Sequence, residues 1–300
     1  MFSFSNYPIP SELQNIEQKL AEYAKDAEKY TSNTDVLGAI LHSIDITSLN
    51  TEDSKESITS FVQKVNKFSK VYPDIPNVGG ICLYPVFAPL YRNFAYLGNV
   101  YKAVVVGNFP SSQTFTEIKC AEVKKVIDAG ANEVDAVISV GEFLDGNYDY
   151  VGDEISKIKN TCGNDARLKV ILETSMLESP ENIWFASVLA MMAGADMIKT
   201  STGKVSQGGA TPEAAYVMCL AIKEYYKQTG KKIGFKPAGG IRSIEDALTY
   251  YSIVKNVCGD EWLCPELFRI GASSLANAVL SKILSLKSGQ ETNIKYFCKD

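Results

Sequence analysis

One histidine, His42, is the only imidazole in this 300-residue chain. That scarcity leaves no credible Ser-His-Asp or Cys-His arrangement, and it argues against a catalytic zinc centre, which usually draws on histidine. His42 itself reads as a packed structural residue. No run of about 18 apolar residues occurs, so no membrane span is expected. The N-terminus, Met-Phe-Ser-Phe-Ser-Asn-Tyr-Pro, has neither the basic start nor the apolar stretch of a signal peptide. No cluster of five or more Lys/Arg is present and the net charge is -5, which speaks against nucleic acid as a partner. The seven cysteines, an odd number, lack any Cys-x-x-Cys spacing and point to free thiols in a reducing compartment, the cytoplasm by default.

What the chain does have is an alternation. Short apolar or β-branched runs recur at 42–49, 78–85, 101–108, 133–140, 168–174, 196–202, 232–238 and 267–273. Amphipathic helical segments lie between and after them, at 52–70, 87–96, 114–129, 148–160, 180–193, 211–228, 243–257 and 273–287. Strands written as continuous apolar runs belong to a sheet covered by helices, and eight βα units in about 250 residues predict a TIM (β/α)8 barrel. A doubly wound open sheet is the rival architecture. One extra helix is expected over 11–30, where Leu13, Ile16, Leu20 and Tyr23 have helical spacing. Three segments follow: an N-terminal helical extension (1–37), a barrel domain (38–287) and a polar C-terminal tail (288–300).

Two lysines interrupt these apolar runs. Lys199 lies in Ala-Asp-Met-Ile-Lys-Thr-Ser-Thr-Gly-Lys (195–204) and Lys236 in Ile-Gly-Phe-Lys-Pro-Ala-Gly-Gly-Ile-Arg (233–242). An ammonium taken out of water costs several kcal/mol unless it is paired or deprotonated. A desolvated lysine beside a second cation has its pKa pushed down and becomes a nucleophile towards carbonyls, and Lys199 and Lys236 can serve each other in this way. A strand lysine can also snorkel outwards, but two on neighbouring strands, each followed by a glycine-containing loop, favour chemistry.

In a barrel the active site forms at the C-terminal strand ends. Polar residues collected there are Asp45 and Thr47 on the first strand, Asp135 on the fourth, Glu173 and Thr174 on the fifth, and Ser201 and Thr202 after Lys199. Asp135 reads as an ion-pair partner of a lysine, a proton-transfer group, or both. Cys82, on the second strand, faces the lumen or serves as a small hydrophobe. Glycine-rich ends follow the last two strands at Gly239-Gly240-Ile241-Arg242 and Gly271-Ala272-Ser273-Ser274, with Gly203-Lys204 after the sixth. Backbone N–H groups in such loops and at the following helix N-terminus form the phosphate site of this architecture, so a phosphorylated small molecule is expected. Ser-Thr-Gly-Lys-Val (201–205) is not a P-loop, because Ile198 stands where glycine is needed and Val205 where a magnesium-binding hydroxyl is needed.

Taken together, Lys-Thr-Ser-Thr-Gly-Lys-Val (199–205), Gly-Phe-Lys-Pro-Ala-Gly-Gly-Ile-Arg (234–242), Asn-Glu-Val-Asp (132–135), Lys-Val-Ile-Leu-Glu-Thr (169–174), Asp-Ile-Thr-Ser-Leu (45–49) and Phe-Arg-Ile-Gly-Ala-Ser-Ser (268–274) resemble the signature segments of the deoxyribose-phosphate aldolase family. The resemblance covers about residues 38–286 in the family's order. It implies a class I aldolase on a TIM barrel, with no metal and no cofactor, that reversibly cleaves 2-deoxy-D-ribose 5-phosphate to D-glyceraldehyde 3-phosphate and acetaldehyde. Lys199 would form the Schiff base, Lys236 would lower its pKa, and Asp135 would transfer protons with water. Asp45, Thr47, Cys82, Thr202, Gly203, Lys204, Gly239, Gly240, Arg242, Gly271, Ser273 and Ser274 would contact the sugar phosphate, with Gly203, Lys204, Gly239, Gly240, Ser273 and Ser274 lining the phosphate pocket. A homo-oligomer is compatible with the family. Many bacterial members end in a tyrosine that assists proton transfer, whereas Tyr296 here is followed by Phe297, Cys298, Lys299 and Asp300. Two other readings stay open: another lysine-dependent barrel such as a transaldolase or keto-acid aldolase, and a catalytically silent sugar-phosphate binder.

Overall fold

Eight parallel strands make one sheet in the computed structural model, in the order β7-β6-β5-β4-β3-β2-β1-β8. It describes residues 2–94, 97–206 and 208–297. The strands are β1 (Ile44–Thr47), β2 (Gly80–Leu83), β3 (Tyr101–Val106), β4 (Glu133–Val137), β5 (Arg167–Ile171), β6 (Met197–Lys199), β7 (Gly234–Lys236) and β8 (Ile270–Ala272). Full ladders join β1 to β8 and every consecutive pair from β1 to β7. Only β7 and β8 meet through isolated bridges, Phe235 opposite Phe268 and Ala238 opposite Gly271. The sheet thereby closes into a TIM barrel.

All eight expected strands are present, each shorter than its apolar run. The run is longer because the residues just beyond a strand end still face the core: Thr200 and Ser201 follow β6 and are fully buried. The helices begin where capping chemistry places them. Ser54 and Ser57 form a capping box at α3 (Lys55–Val71), Ser243 and Asp246 another at α9 (Ile244–Val257), and Thr211 caps α8 (Pro212–Thr229), whose proline occupies the first turn. The remaining barrel helices are α4 (Thr116–Asp128), α6 (Tyr148–Cys162), α7 (Pro180–Met192) and α10 (Leu275–Ser288).

Several elements differ from expectation. The segment 87–96 is a 3-10 helix over Pro85–Asn93, since Pro89 inside it breaks α-helical bonding; the final two positions of the expected segment lie outside the described residues. A short helix, α5 (Val140–Leu144), precedes α6. The N-terminal segment holds two helices rather than one: α1 (Ile16–Ala27), flanked by 3-10 turns, and α2 (Thr34–Ser43), whose continuous apolar run concealed its period. Asn33 caps α2 through the Asp35 and Val36 amides. His42 is on this helix, and its Nδ1–H donates to the Asn77 carbonyl at 2.8 Å, the structural role expected of it.

The chain ends wrap the outside. Phe4 packs on Tyr148 and Phe185, Tyr7 stacks on Tyr225, and the Trp184 indole donates to the Tyr7 carbonyl at 3.1 Å. α1 then lies across α9 and α8. At the other end the tail runs back along α10: Thr292 and Ile294 amides bond the Ser285 and Ser281 hydroxyls, and the Phe297 amide bonds Asn277 Oδ1. Tyr296 donates to the Lys64 carbonyl at 2.8 Å within a cluster of Phe68, Tyr72 and Phe297, between α3 and α10 on the barrel's flank. Residues 298–300 lie outside the described part.

Candidate active site

Strand register brings the charges together. Lys199 on β6 stands opposite Lys236 on β7, and Asp135 on β4 stands opposite Lys169 on β5. Paired residues of parallel strands project to the same face, here the lumen. Asp135 reaches all three lysines: its Oδ2 lies 2.9 Å from Lys199 Nζ and 3.0 Å from Lys236 Nζ, while Oδ1 lies 2.9 Å from Lys169 Nζ. Lys236 is also held by Asp45, whose second oxygen takes the Arg269 guanidinium. Lys169 extends the network to Glu133 at 2.5 Å. A Cβ on Gly80 would overlap both the Arg269 guanidinium and the Asp45 carboxylate, so this pair depends on glycine in β2.

Charge states follow from this packing. Burial alone would raise the Asp135 pKa, but the Lys169, Lys199 and Lys236 ammoniums outweigh it and hold the carboxyl well below its ordinary range. Asp45 is likewise lowered, since Arg269 and Lys236 overcome its desolvation. Burial disfavours the Lys236 ammonium, yet Asp135 and Asp45 prevail and raise its pKa above the usual lysine value. Pairing with the two carboxylates therefore favours the charged form of Lys236. The expected mutual arrangement of the two lysines becomes an asymmetric one, in which Lys236 supplies the fixed charge.

Above this layer opens a cavity of about 230 Å³. Thr47, Lys199, Thr202, Gly203, Lys204, Gly239, Gly240, Arg242, Gly271, Ser273 and Ser274, all expected from the sequence, line it, together with Leu49, Asn50, Ala238, Ile241 and Ala272. Lys199 borders the cavity; Lys236, Asp135 and Asp45 lie beneath it. Cys82 does not line it. The Cys82 thiol is packed with Leu49, Ala103 and Val105, and burial, reinforced by Asp135, pushes its pKa up to about 11, consistent with a small hydrophobe.

The outer rim is built from backbone. Gly203 and Gly239 have φ of +72° and +89°, a region that side chains disfavour, and a Cβ on Gly239 would stand 3.2 Å from the Gly203 Cα. The loops after β6 and β7 thus touch main chain to main chain, and the Ala210 amide bonds the Gly239 carbonyl at 3.0 Å. Ser273 and Ser274 lead into the N-terminus of the 14-residue α10, and Lys204 and Arg242 add positive charge. Exposed amides, a helix N-terminus and two cations form a site for an anion.

The cavity therefore brings together one lysine at its floor, Lys199, and a rim of glycine-rich loops with Lys204 and Arg242. The model of the DeoC/LacD family aldolases matches residues 39–280. The chain belongs to this aldolase family. Over 257 residues it is 38% identical to a deoxyribose-phosphate aldolase of Homo sapiens, covering 82% of this chain and 80% of the relative. A deoxyribose-phosphate aldolase of Agrobacterium fabrum is 35% identical over 248 residues, 83% of this chain and 90% of the relative. Among solved structures, the deoxyribose phosphate aldolase of Aeropyrum pernix, described as a unique tetramer, superposes with a TM-score of 0.65 at 26% identity, covering 90% of this chain and 98% of that one. Eight-stranded closure and helix placement are thus those of the aldolase barrel.

Sequence reasoning missed three charged residues of this aldolase lumen. Lys169 in Leu-Lys-Val and Arg269 in Phe-Arg-Ile interrupt apolar strands just as Lys199 and Lys236 do, and the same signal identifies them. Glu133 lies two residues before Asp135 on one face of β4, so period two reveals it. Glu173, noted as a strand-end carboxylate, was given no role.

Proposed function

We propose that this aldolase cleaves 2-deoxy-D-ribose 5-phosphate reversibly to D-glyceraldehyde 3-phosphate and acetaldehyde through a Schiff base on Lys199. The observation that carries the reading is the difference between the two lysines: Lys199 alone borders the cavity, while Lys236 lies beneath it as a cation held by two carboxylates. Four buried cations, Lys169, Lys199, Lys236 and Arg269, face three carboxylates, Asp45, Glu133 and Asp135, in the lumen.

With the phosphate in the rim cradle, the C1 aldehyde reaches Lys199 Nζ. The amine adds to C1, and the carbinolamine loses its oxygen as water to leave a protonated imine. A proton leaves the C3 hydroxyl through water to the ionised Asp135, the C2–C3 bond breaks, and its electron pair moves into the imine to form an enamine. D-glyceraldehyde 3-phosphate departs. Protonation of the enamine carbon and hydrolysis release acetaldehyde and free Lys199. Phosphate binding at a distance from C1 supplies orientation. Lys236 fixes the Asp135 carboxylate and stays charged throughout. The six described cysteines are unpaired, which supports a cytoplasmic setting.

Borohydride reduction in the presence of 2-deoxyribose 5-phosphate, followed by peptide mass mapping, tests this reading. A single reduced adduct on the peptide containing Lys199, carrying the sugar phosphate or an ethyl group, is the expected result. Binding of the sugar phosphate without an adduct would leave a silent binder; an adduct only with ketose or keto-acid substrates would point to a transaldolase or keto-acid aldolase.

A further inference from the structure

Glu173, just past the end of β5, combines three unusual features. It is 3% exposed, and its backbone is left-handed at φ 54° and ψ 59°, a conformation that costs a non-glycine residue and that clusters at functional sites. One carboxylate oxygen, Oε2, accepts two bonds from one residue, the Thr202 amide at 3.2 Å and the Thr202 hydroxyl at 2.5 Å. The other, Oε1, is buried with no hydrogen-bond partner among the described residues.

A carboxylate buried with half its acceptors unused is an expensive way to hold a threonine, unless the direction of the hydrogen bonds matters. Here it does. Oε2 already accepts the Thr202 amide, and the Thr202 hydroxyl gives its single proton to the same oxygen. The hydroxyl oxygen is then left to accept, and it takes the Lys204 amide at 3.1 Å. This relay closes the turn 202–204 and sets Gly203 at φ +72° against Gly239. All three residues of the turn line the cavity.

We infer that Glu173 is a positioning residue for the phosphate end of the substrate, acting through Thr202 on the Gly203-Lys204 turn. The inference rests on the reading of the rim as a phosphate site. Among the described residues no hydrogen bond or ion pair joins the Glu173 side chain to Lys169, Lys199 or Lys236, so its effect is expected on phosphate binding more than on bond cleavage.

The test compares Glu173→Ala, Glu173→Gln and Glu173→Asp with the unsubstituted enzyme on two sugars, 2-deoxyribose 5-phosphate and unphosphorylated 2-deoxyribose. Removing two bonds to a charged acceptor is expected to raise KM for the phosphorylated sugar about tenfold to a hundredfold in Glu173→Ala, with kcat nearly unchanged. The kcat/KM for the unphosphorylated sugar stays level. Glu173→Gln recovers the KM, because its amide oxygen still accepts from both Thr202 donors. Equal losses on the two sugars, or a glutamine variant as impaired as the alanine one, overturns the inference. Glu173→Asp, which draws the carboxylate back from both Thr202 donors, gives the same comparison if Glu173→Ala does not fold. Calorimetric titration with inorganic phosphate separates this inference from the proposed reaction. If the unsubstituted protein binds phosphate but does not cleave the sugar, the proposed reaction falls, while weaker phosphate binding by Glu173→Ala still supports the role of Glu173. Equal phosphate affinity, or none in the unsubstituted protein, removes it.

Discussion

Lys199 and Lys236 share one oxygen atom. Both ammonium nitrogens lie about 3 Å from Asp135 Oδ2, at 2.9 and 3.0 Å, although only Lys199 opens onto the cavity. Register on adjacent strands sets the pair, and the carboxylate arriving from β4 keeps two like charges tolerable at this separation.

The two lysines should fail differently. Lys199→Leu is expected to abolish turnover and borohydride trapping while sugar-phosphate affinity, read by calorimetry, persists. Lys236→Leu keeps the nucleophile but removes the fixed cation, so trapping should continue slowly and kcat fall by about 10²–10⁴, the usual worth of a proton-transfer environment. Time-resolved adduct mass measures both.

Stability should depend on pH from both sides. The Asp135 pKa is lowered on folding, so its contribution is complete above the unfolded value of about 3.9 and is lost as pH falls through the folded value. The Lys236 pKa is raised, so its contribution is complete below about 10.4 and is lost as pH rises towards the folded value. Thermal melts across pH should show a plateau between these limits. Asp135→Asn, which strips three buried ammoniums of their shared partner, should lower stability by about 3–5 kcal/mol at neutral pH and flatten the acid limb.

Gly80→Ala places a methyl group where the Arg269–Asp45 pair lies. Overpacking of this kind costs about 1–3 kcal/mol, and displacement of a buried ion pair adds to it. A fall in urea midpoint with an unchanged m value is the expected signature, with the larger loss of activity at high pH where Lys236 becomes more dependent on Asp45.

Cys82 should be a poor nucleophile despite its place in the lumen. With a thiol raised to about 11, the thiolate is scarce at pH 8, and alkylation by iodoacetamide should reach the partly exposed Cys120 and Cys264 first. Peptide-resolved labelling rates give the order directly.

Tyr296→Phe removes one hydroxyl that bonds the Lys64 carbonyl on the flank of the barrel. The expected loss is about 0.5–1.5 kcal/mol of stability, with kcat and KM unaffected. A large fall in kcat would instead give this tyrosine a part in proton transfer.

Eight strands and the glycine-rich rim were legible because each carries a local signature: an apolar run bounded by breakers, or glycine at a strand end. The lysine pair was legible because a charge inside an apolar run is an anomaly that demands a partner. Partners were harder to see. Asp45 was expected at the substrate and instead binds Lys236 and Arg269, since the contact depends on strand register across the closed sheet, which no local pattern encodes. The helix α2 was hidden by its own burial, because a helix covered on most sides loses its polar face and with it its period. The polarity of the Glu173–Thr202 relay was equally out of reach, as it arises from a left-handed residue that only the folded main chain reveals.

The seam between β7 and β8 is held by isolated bridges where every other strand pair has a ladder. Across that seam runs the contact of Asp45 on β1 with Lys236 on β7, while Arg269, at the entrance to β8, ties Asp45 to the strand between them. The charges that equip the lumen for catalysis therefore also fasten the barrel shut, as a hoop fastens staves. Under selection these two duties are linked: a descendant that trades its lumen charges for another chemistry keeps only the backbone bonds of Phe235 to Leu267, Arg269 to Phe235 and Gly271 to Pro237 across this seam.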